Sequence, residues 1–253
     1  MPHETAAMEV LPYCGSPPAP GELLTRFNID PVLILALVVL AGTHLWAARG
    51  THTRWYAAGG WLITAAALLS PLCALSVSLF SARVAQHMIL VLLAAPLIAL
   101  AWPRASHRTG ALGLWGSAAA FFLALWFWHM PVPYDLTFSS TPIYWTMHLT
   151  LFGSAVLLWR ELLHHRSDRT ADVLAAGALT SMQMGLLGAV LTFAGHPMFL
   201  WHLTTTAAWG FTPLHDQQLG GVFMWVPGIA LFLCAALRSL GRLWRVLEEA
   251  GSP

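Results

Sequence analysis

The chain has 253 residues, 57% apolar and 9% charged, with a formal net charge of +1 and a mean hydropathy of +0.65. Soluble domains carry roughly 25% charge, so this composition excludes an ordinary soluble fold and marks an integral membrane protein. The chain contains no lysine and no clustered basic footprint, so nucleic acid is not an expected partner.

Residues 1–30 form a polar tail rich in proline and glycine, including Tyr13, Cys14, Gly15, Pro17, Pro18, Pro20 and Gly21, and are expected to be irregular. The tail lacks the basic start and apolar core of a cleaved signal peptide, so it is read as part of the mature chain. Seven apolar runs follow, at about 31–48, 55–76, 82–102, 112–129, 143–159, 173–194 and 219–237. Each is near the ~20 residues a helix needs to cross ~30 Å of hydrocarbon. Their continuous rather than alternating apolarity favours helices over a barrel, because a helix satisfies its own backbone in lipid. The expected fold is an all-α integral membrane protein, a seven-transmembrane-helix bundle over 31–237, closed by a basic cytoplasmic tail over 238–253.

Arginines set the expected orientation. Arg49 and Arg54, Arg104 and Arg108, then Arg160, Arg166 and Arg169, and finally Arg238, Arg242 and Arg245 all fall on one side of these runs. Only Arg26 and Arg83 fall on the other. By the positive-inside rule the N-terminus is outside and the C-terminus cytoplasmic, with lipid as the surrounding medium.

The histidines sort on this topology. His52, His107, His164 and His165, with His44, lie toward the cytoplasmic side beside arginines and read as interfacial residues. On the outer side, His87 is about five residues into the third run, His129 ends the fourth, His148 is about five residues into the fifth and His196 follows the sixth. Five residues of helix are ~7.5 Å of depth, so four histidines from different helices share a thin layer, which Asp216 joins at the start of the seventh helix. Polar side chains at that depth are costly and turn into the bundle to find partners. Imidazole and carboxylate at one level suit copper or zinc, and the adjoining methionines Met88, Met130, Met147 and Met198 tilt the choice toward copper. Met88 and Met147 rank behind the histidines as ligands, as do His202 and His215, which lie in the loop before the last run.

Three cysteines are too few for a disulfide framework or a zinc ribbon. Cys14 and Cys73 lie toward the outer side, so Cys14 is a thiolate able to take copper, half of a Cys14–Cys73 disulfide or a thiol with no special role, while Cys234 is on the inner half. Gln86 and Gln183 are natural interhelical hydrogen-bonding groups. Tryptophans such as Trp126, Trp128, Trp145, Trp159 and Trp201 near run ends read as aromatic belts.

Three stretches carry a resemblance. Gln86, His87 and Met88 leading to Ala95 and Pro96, the run Pro133 to Thr137, and Asp216 and Gln217 through Leu219, Gly220 and Gly221 to Met224, Trp225 and Pro227 resemble the caa3-type CtaG family of cytochrome c oxidase assembly factors. The Tyr13, Cys14, Gly15 tail is similar too. The resemblance implies a multi-pass, non-enzymatic protein of the bacterial inner membrane that handles or delivers copper for a haem-copper oxidase. Its partners would be an oxidase subunit or a periplasmic copper chaperone. It also implies His87, His129, His148, His196 and Asp216 as candidate metal ligands. One departure is Met147, where the family pattern expects an acid before the histidine.

Other classes are weighed against this reading. A ceramidase-like seven-helix zinc hydrolase would use histidines and an acid to activate water, but it places a histidine pair in its last span, and 219–237 contains no histidine. A haem-binding protein could clamp a porphyrin between two histidines on neighbouring helices. A proton-coupled transporter would need acids at mid-membrane, which these runs lack.

Overall fold

A helix occupies each of the seven apolar runs. The computed structural model describes residues 11–102, 111–164 and 169–251, and the protein is 81% helical, with no strand among the described residues. The helices are α1 (Pro31–Ala47), α2 (Arg54–Leu69), α3 (Leu72–Ser78), α4 (Phe80–Met88), α5 (Ala95–Leu100), α6 (Ala111–Trp128), α7 (Pro131–Ser139), α8 (Thr141–Leu163), α9 (Thr170–Thr192) and α10 (Pro213–Gly251). Arg104, His107, Arg108, His165 and Arg166 lie outside the described residues.

Among the described residues, three stretches are long and apolar enough to cross a membrane: Phe80–Leu100, Thr170–Thr192 and Pro213–Gly241. Two bent pairs, α2 with α3 and α6 with α7, raise the number to five if each counts as one span. The bends have local causes. Ser70 is extended before Pro71, and the α2–α3 pair bends by 48° there; the clash of a proline ring with the preceding residue disfavours helix at that position. Met130 is extended before Pro131 in the same way, and the chain turns by 76° from α6 into α7. The sequence led us to expect a simple connection where α7 forms.

Between α4 and α5 the helix is not interrupted but widened, with Ile89–Ala94 in a π-helical turn. Trp159 Nε1 of α8 donates to the Val91 carbonyl within it at 2.8 Å. A π-turn next to a site is a common functional signature, and this one begins two residues after His87.

Helix α10 packs along α9 and α4, α6 packs against α8 and α9, and α5 packs between α2 and α8. Close approach of α9 and α10 depends on glycine. A Cβ on Gly221 would stand 2.6 Å from the Gly188 carbonyl oxygen and also meet Thr192 Oγ1. Helix α10 runs on through Gly251, well past the end expected near residue 237.

Residues 11–30 of the tail are irregular apart from a 3-10 turn at Pro20–Thr25, yet they are tied down. Cys14 is bonded to Cys73, Tyr13 stacks on Tyr144 at 4.8 Å, and Asn28 N donates to the Leu69 carbonyl at 2.9 Å. Asp30 accepts from its own helix at Val32 N at 2.8 Å, capping α1. The Tyr13 hydroxyl donates to Asp30 at 2.5 Å and holds that carboxyl below its usual range, while burial pushes the tyrosine's own ionisation up.

Candidate metal centre

His87, His129 and His148 meet in the bundle interior. They come from the last turn of α4, the corner between α6 and α7, and the second turn of α8, and they are only 1%, 3% and 4% exposed. His87 is the hub. Its ring centroid is 5.8 Å from that of His129 and 5.3 Å from that of His148, edge to face in both cases.

Two of the rings are oriented by their own helices. His129 Nδ1 lies 2.7 Å from the Leu125 carbonyl and His148 Nδ1 lies 3.1 Å from the Tyr144 carbonyl, each four residues back. A carbonyl oxygen only accepts, so each Nδ1 carries the hydrogen and the neutral ring presents its lone pair at Nε2. Both Nε2 atoms, and both nitrogens of His87, are buried without a hydrogen-bond partner. Most buried polar atoms are paired, so four orphaned ring nitrogens in one place require an explanation.

The donor chemistry fits a metal. Imidazoles fixed through Nδ1 to a carbonyl are the usual arrangement of metal-binding histidines. Rings sharing an ion at about 2 Å from each nitrogen would have centroids roughly 5–6 Å apart. As the side chains stand, no group of three or more His, Cys, Asp or Glu among the described residues is already set to hold an ion. Closing on one would require the rings to turn from their edge-to-face packing.

The other residues singled out by sequence lie elsewhere. Asp216 is fully buried, but its carboxylate accepts from Phe80 N at 2.6 Å, Ser81 N at 3.1 Å and Ser81 Oγ at 2.5 Å. It therefore supplies the N-terminal cap of α4, whose preceding residue, Leu79, has no side chain able to cap. His196 is exposed in the loop after α9. Met88 and Met147 are buried in the main core cluster, Met198 is partly buried against it, and Met130 is 49% exposed. Cys14 is a disulfide sulfur in this structure, not a thiolate. Gln86 Nε2 donates to the Ala67 carbonyl at 2.7 Å, and Gln183 accepts from Trp126 Nε1 at 2.8 Å, so both join helices as expected.

Sequence reasoning missed Arg83. Counted there as an outer charge, it is 1% exposed, one turn before His87 on the same helix. Its guanidinium lies 3.9 Å from the Phe138 ring centroid, 5.3 Å from Tyr134 and 5.7 Å from Tyr144, and it donates to Thr137 Oγ1. No carboxylate among the described residues pairs with it within 4.0 Å. Cation–π contact with aromatic faces is the compensation it has. The signal was an arginine four residues before a histidine in an apolar segment.

His202, ranked low from sequence, is also buried; its Nε2 is 2.7 Å from the Tyr134 hydroxyl and its Nδ1 3.3 Å from the Ser78 carbonyl. Burial, reinforced by the nearby Arg83 charge, pushes this imidazole down to about 3.

The sequence model of the cytochrome c oxidase caa3 assembly factor (Caa3_CtaG) family matches residues 33–245, which begins after the tail carrying Cys14. No curated protein and no solved structure matches the chain. The fold gives the family-like stretch from Asp216 to Pro227 a physical role, since Asp216 caps α4, a Cβ on Gly220 would meet the Phe80 ring at 2.5 Å, and Gly221 admits α9. The chain belongs to the cytochrome c oxidase caa3 assembly factor family.

Proposed function

We propose that this protein assembles cytochrome c oxidase by holding copper as cargo at His87, His129 and His148 and passing it to an oxidase subunit. It is a non-enzymatic factor of the bacterial inner membrane, with seven spans, the N-terminus outside and the C-terminus cytoplasmic. It receives copper from a periplasmic copper chaperone or the outer aqueous phase. The observation that carries this reading is the set of orphaned nitrogens on three buried, touching imidazoles.

Several features support the choice of ion. Imidazole accepts copper readily, and an oxidase assembly factor serves an enzyme that contains it. The buried Arg83 charge stands beside the site and disfavours added positive charge, so the monovalent cuprous ion is preferred to a divalent one. Asp216 and His196 are not assigned as ligands, the first because its oxygens are committed to α4 and the second because it is exposed. The arginine asymmetry supports the orientation.

Protein purified from copper-supplemented cells is expected to carry copper, and a folded His87→Ala/His148→Ala variant to carry none. Wild type without copper, or a double variant with unchanged copper, contradicts the reading.

A haem-binding reading has one observation in its favour. An apolar groove of about 560 Å³ runs between α1 and the bundle, walled by Leu33, Leu68, Leu90, Trp145, Phe152 and His148. A Soret band on the purified protein would establish it, and its absence would leave copper alone.

A further inference from the structure

The Cys14–Cys73 disulfide joins the tail to α3 with Cα atoms 5.5 Å apart. Cys73 is buried, whereas Cys14 is partly exposed and lines a surface cavity of about 390 Å³ with Tyr13, Arg26, Asn28 and Asp30. Cys14 is therefore the member of the pair that an external thiol would meet first. On the inner side the Tyr144 hydroxyl is 3.4 Å from Cys14 Sγ and 3.8 Å from Cys73 Sγ. The Tyr144 ring lies 4.3 Å from that of His148, and its carbonyl holds His148 Nδ1. One tyrosine separates the sulfur pair from the histidines.

We propose that Cys14 and Cys73, once reduced, form a second copper site that takes up Cu(I) at the outer surface and passes it inward to His148. Binding at the sulfurs stands by itself; only the transfer rests on the copper reading of the histidines. Thiolates are soft ligands that select Cu(I), and this pair combines a partly exposed cysteine with a buried one beside the candidate centre.

The chemistry balances with a dithiol reductant. One of its thiolates attacks Cys14 Sγ, the Cys14–Cys73 bond breaks, and Cys73 leaves as a thiolate that takes up a proton. The reductant's second thiol then releases Cys14 from the mixed disulfide, so two electrons pass to the cysteines and the reductant departs as a disulfide. Cu(I) displaces the two thiol protons on binding and keeps its oxidation state. Both protons return to sulfur when the ion moves on to imidazole nitrogen. With the disulfide closed the sulfurs hold no copper, while the histidines can still take the ion directly.

The test is an anaerobic Cu(I) titration of the full-length protein in nanodiscs against a chromogenic chelator, with the disulfide intact and after reduction by a dithiol that is then removed. The reduced protein is expected to bind one more equivalent than the oxidised protein, with sulfur in the copper X-ray absorption spectrum. Cys14→Ser, and reduced wild type alkylated at its thiols, are expected to lose that equivalent; the alkylated wild type decides the matter if the variant fails to fold. Equal copper in the two redox states overturns the proposal, as does an extra equivalent that survives alkylation. Failure of the histidine reading is seen separately, as absence of copper from the oxidised protein.

Discussion

Helix α4 meets two buried polar residues about two turns apart. At its start, Asp216 reaches across from α10 and accepts from Phe80 N, Ser81 N and Ser81 Oγ. Seven residues on, His87 is equally buried and has no partner for either nitrogen. Burial alone does not distinguish the two; hydrogen-bond accounting does. A satisfied buried polar group contributes to architecture, and an unsatisfied cluster calls for another explanation, which the copper proposal supplies. The sequence placed both residues in one layer and treated them as members of one ligand set.

The comparison can be broken first at the cap. Asp216→Ala leaves two buried N–H groups unpaired at about 1–3 kcal/mol each, so a loss of roughly 2–6 kcal/mol is expected in thermal unfolding of the detergent-solubilised protein. An unchanged melting temperature would show that Asp216 is not structural.

Acid probes a second satisfied residue, His202. Its folded value of about 3 lies below the ordinary 6.5, so it stabilises the neutral-ring fold fully above pH 6.5. That contribution is lost as pH falls from 6.5 toward 3, by about 1.4 kcal/mol per pH unit. A His202→Gln variant is expected to flatten that acid slope; equal slopes for the two proteins would contradict the assignment.

Gly221→Ala sharpens the architectural half. The new methyl meets the Gly188 carbonyl oxygen and Thr192 across the α9–α10 contact. Overpacking of this kind costs about 1–3 kcal/mol, and the loss should be visible in unfolding with copper binding intact in the folded fraction. The smallest stability effect is expected at His87 itself. Replacing an unpartnered imidazole with an apolar group of similar size, His87→Leu, should leave stability within about 1 kcal/mol of wild type while abolishing copper binding by the protein with its disulfide intact. A large stability loss would make His87 a structural residue.

The helices were legible because each run is long and continuously apolar. The convergence of His87, His129 and His148 was legible because counting residues from the run ends places them at one depth. Asp216's role was not, since its partners are backbone N–H groups 135 and 136 residues away, which leave no mark in side-chain patterns. Arg83 was missed for a linked reason. Its cage of Tyr134, Thr137 and Phe138 lies on α7, nine residues that are too short to show a helical period and that were taken for a connection. With α7 read as a loop, the arginine had nowhere to go but the surface. The break between α6 and α7 was announced by Pro131, yet the helix beyond it was not.

The central claim is that the three histidines are ligands for copper. Copper K-edge absorption on copper-loaded protein with its disulfide intact tests it most directly. The account predicts imidazole scattering with nitrogen at about 2 Å, lost in folded His87→Leu. Copper absent from the folded protein, or present with an unchanged spectrum in that variant, would contradict it.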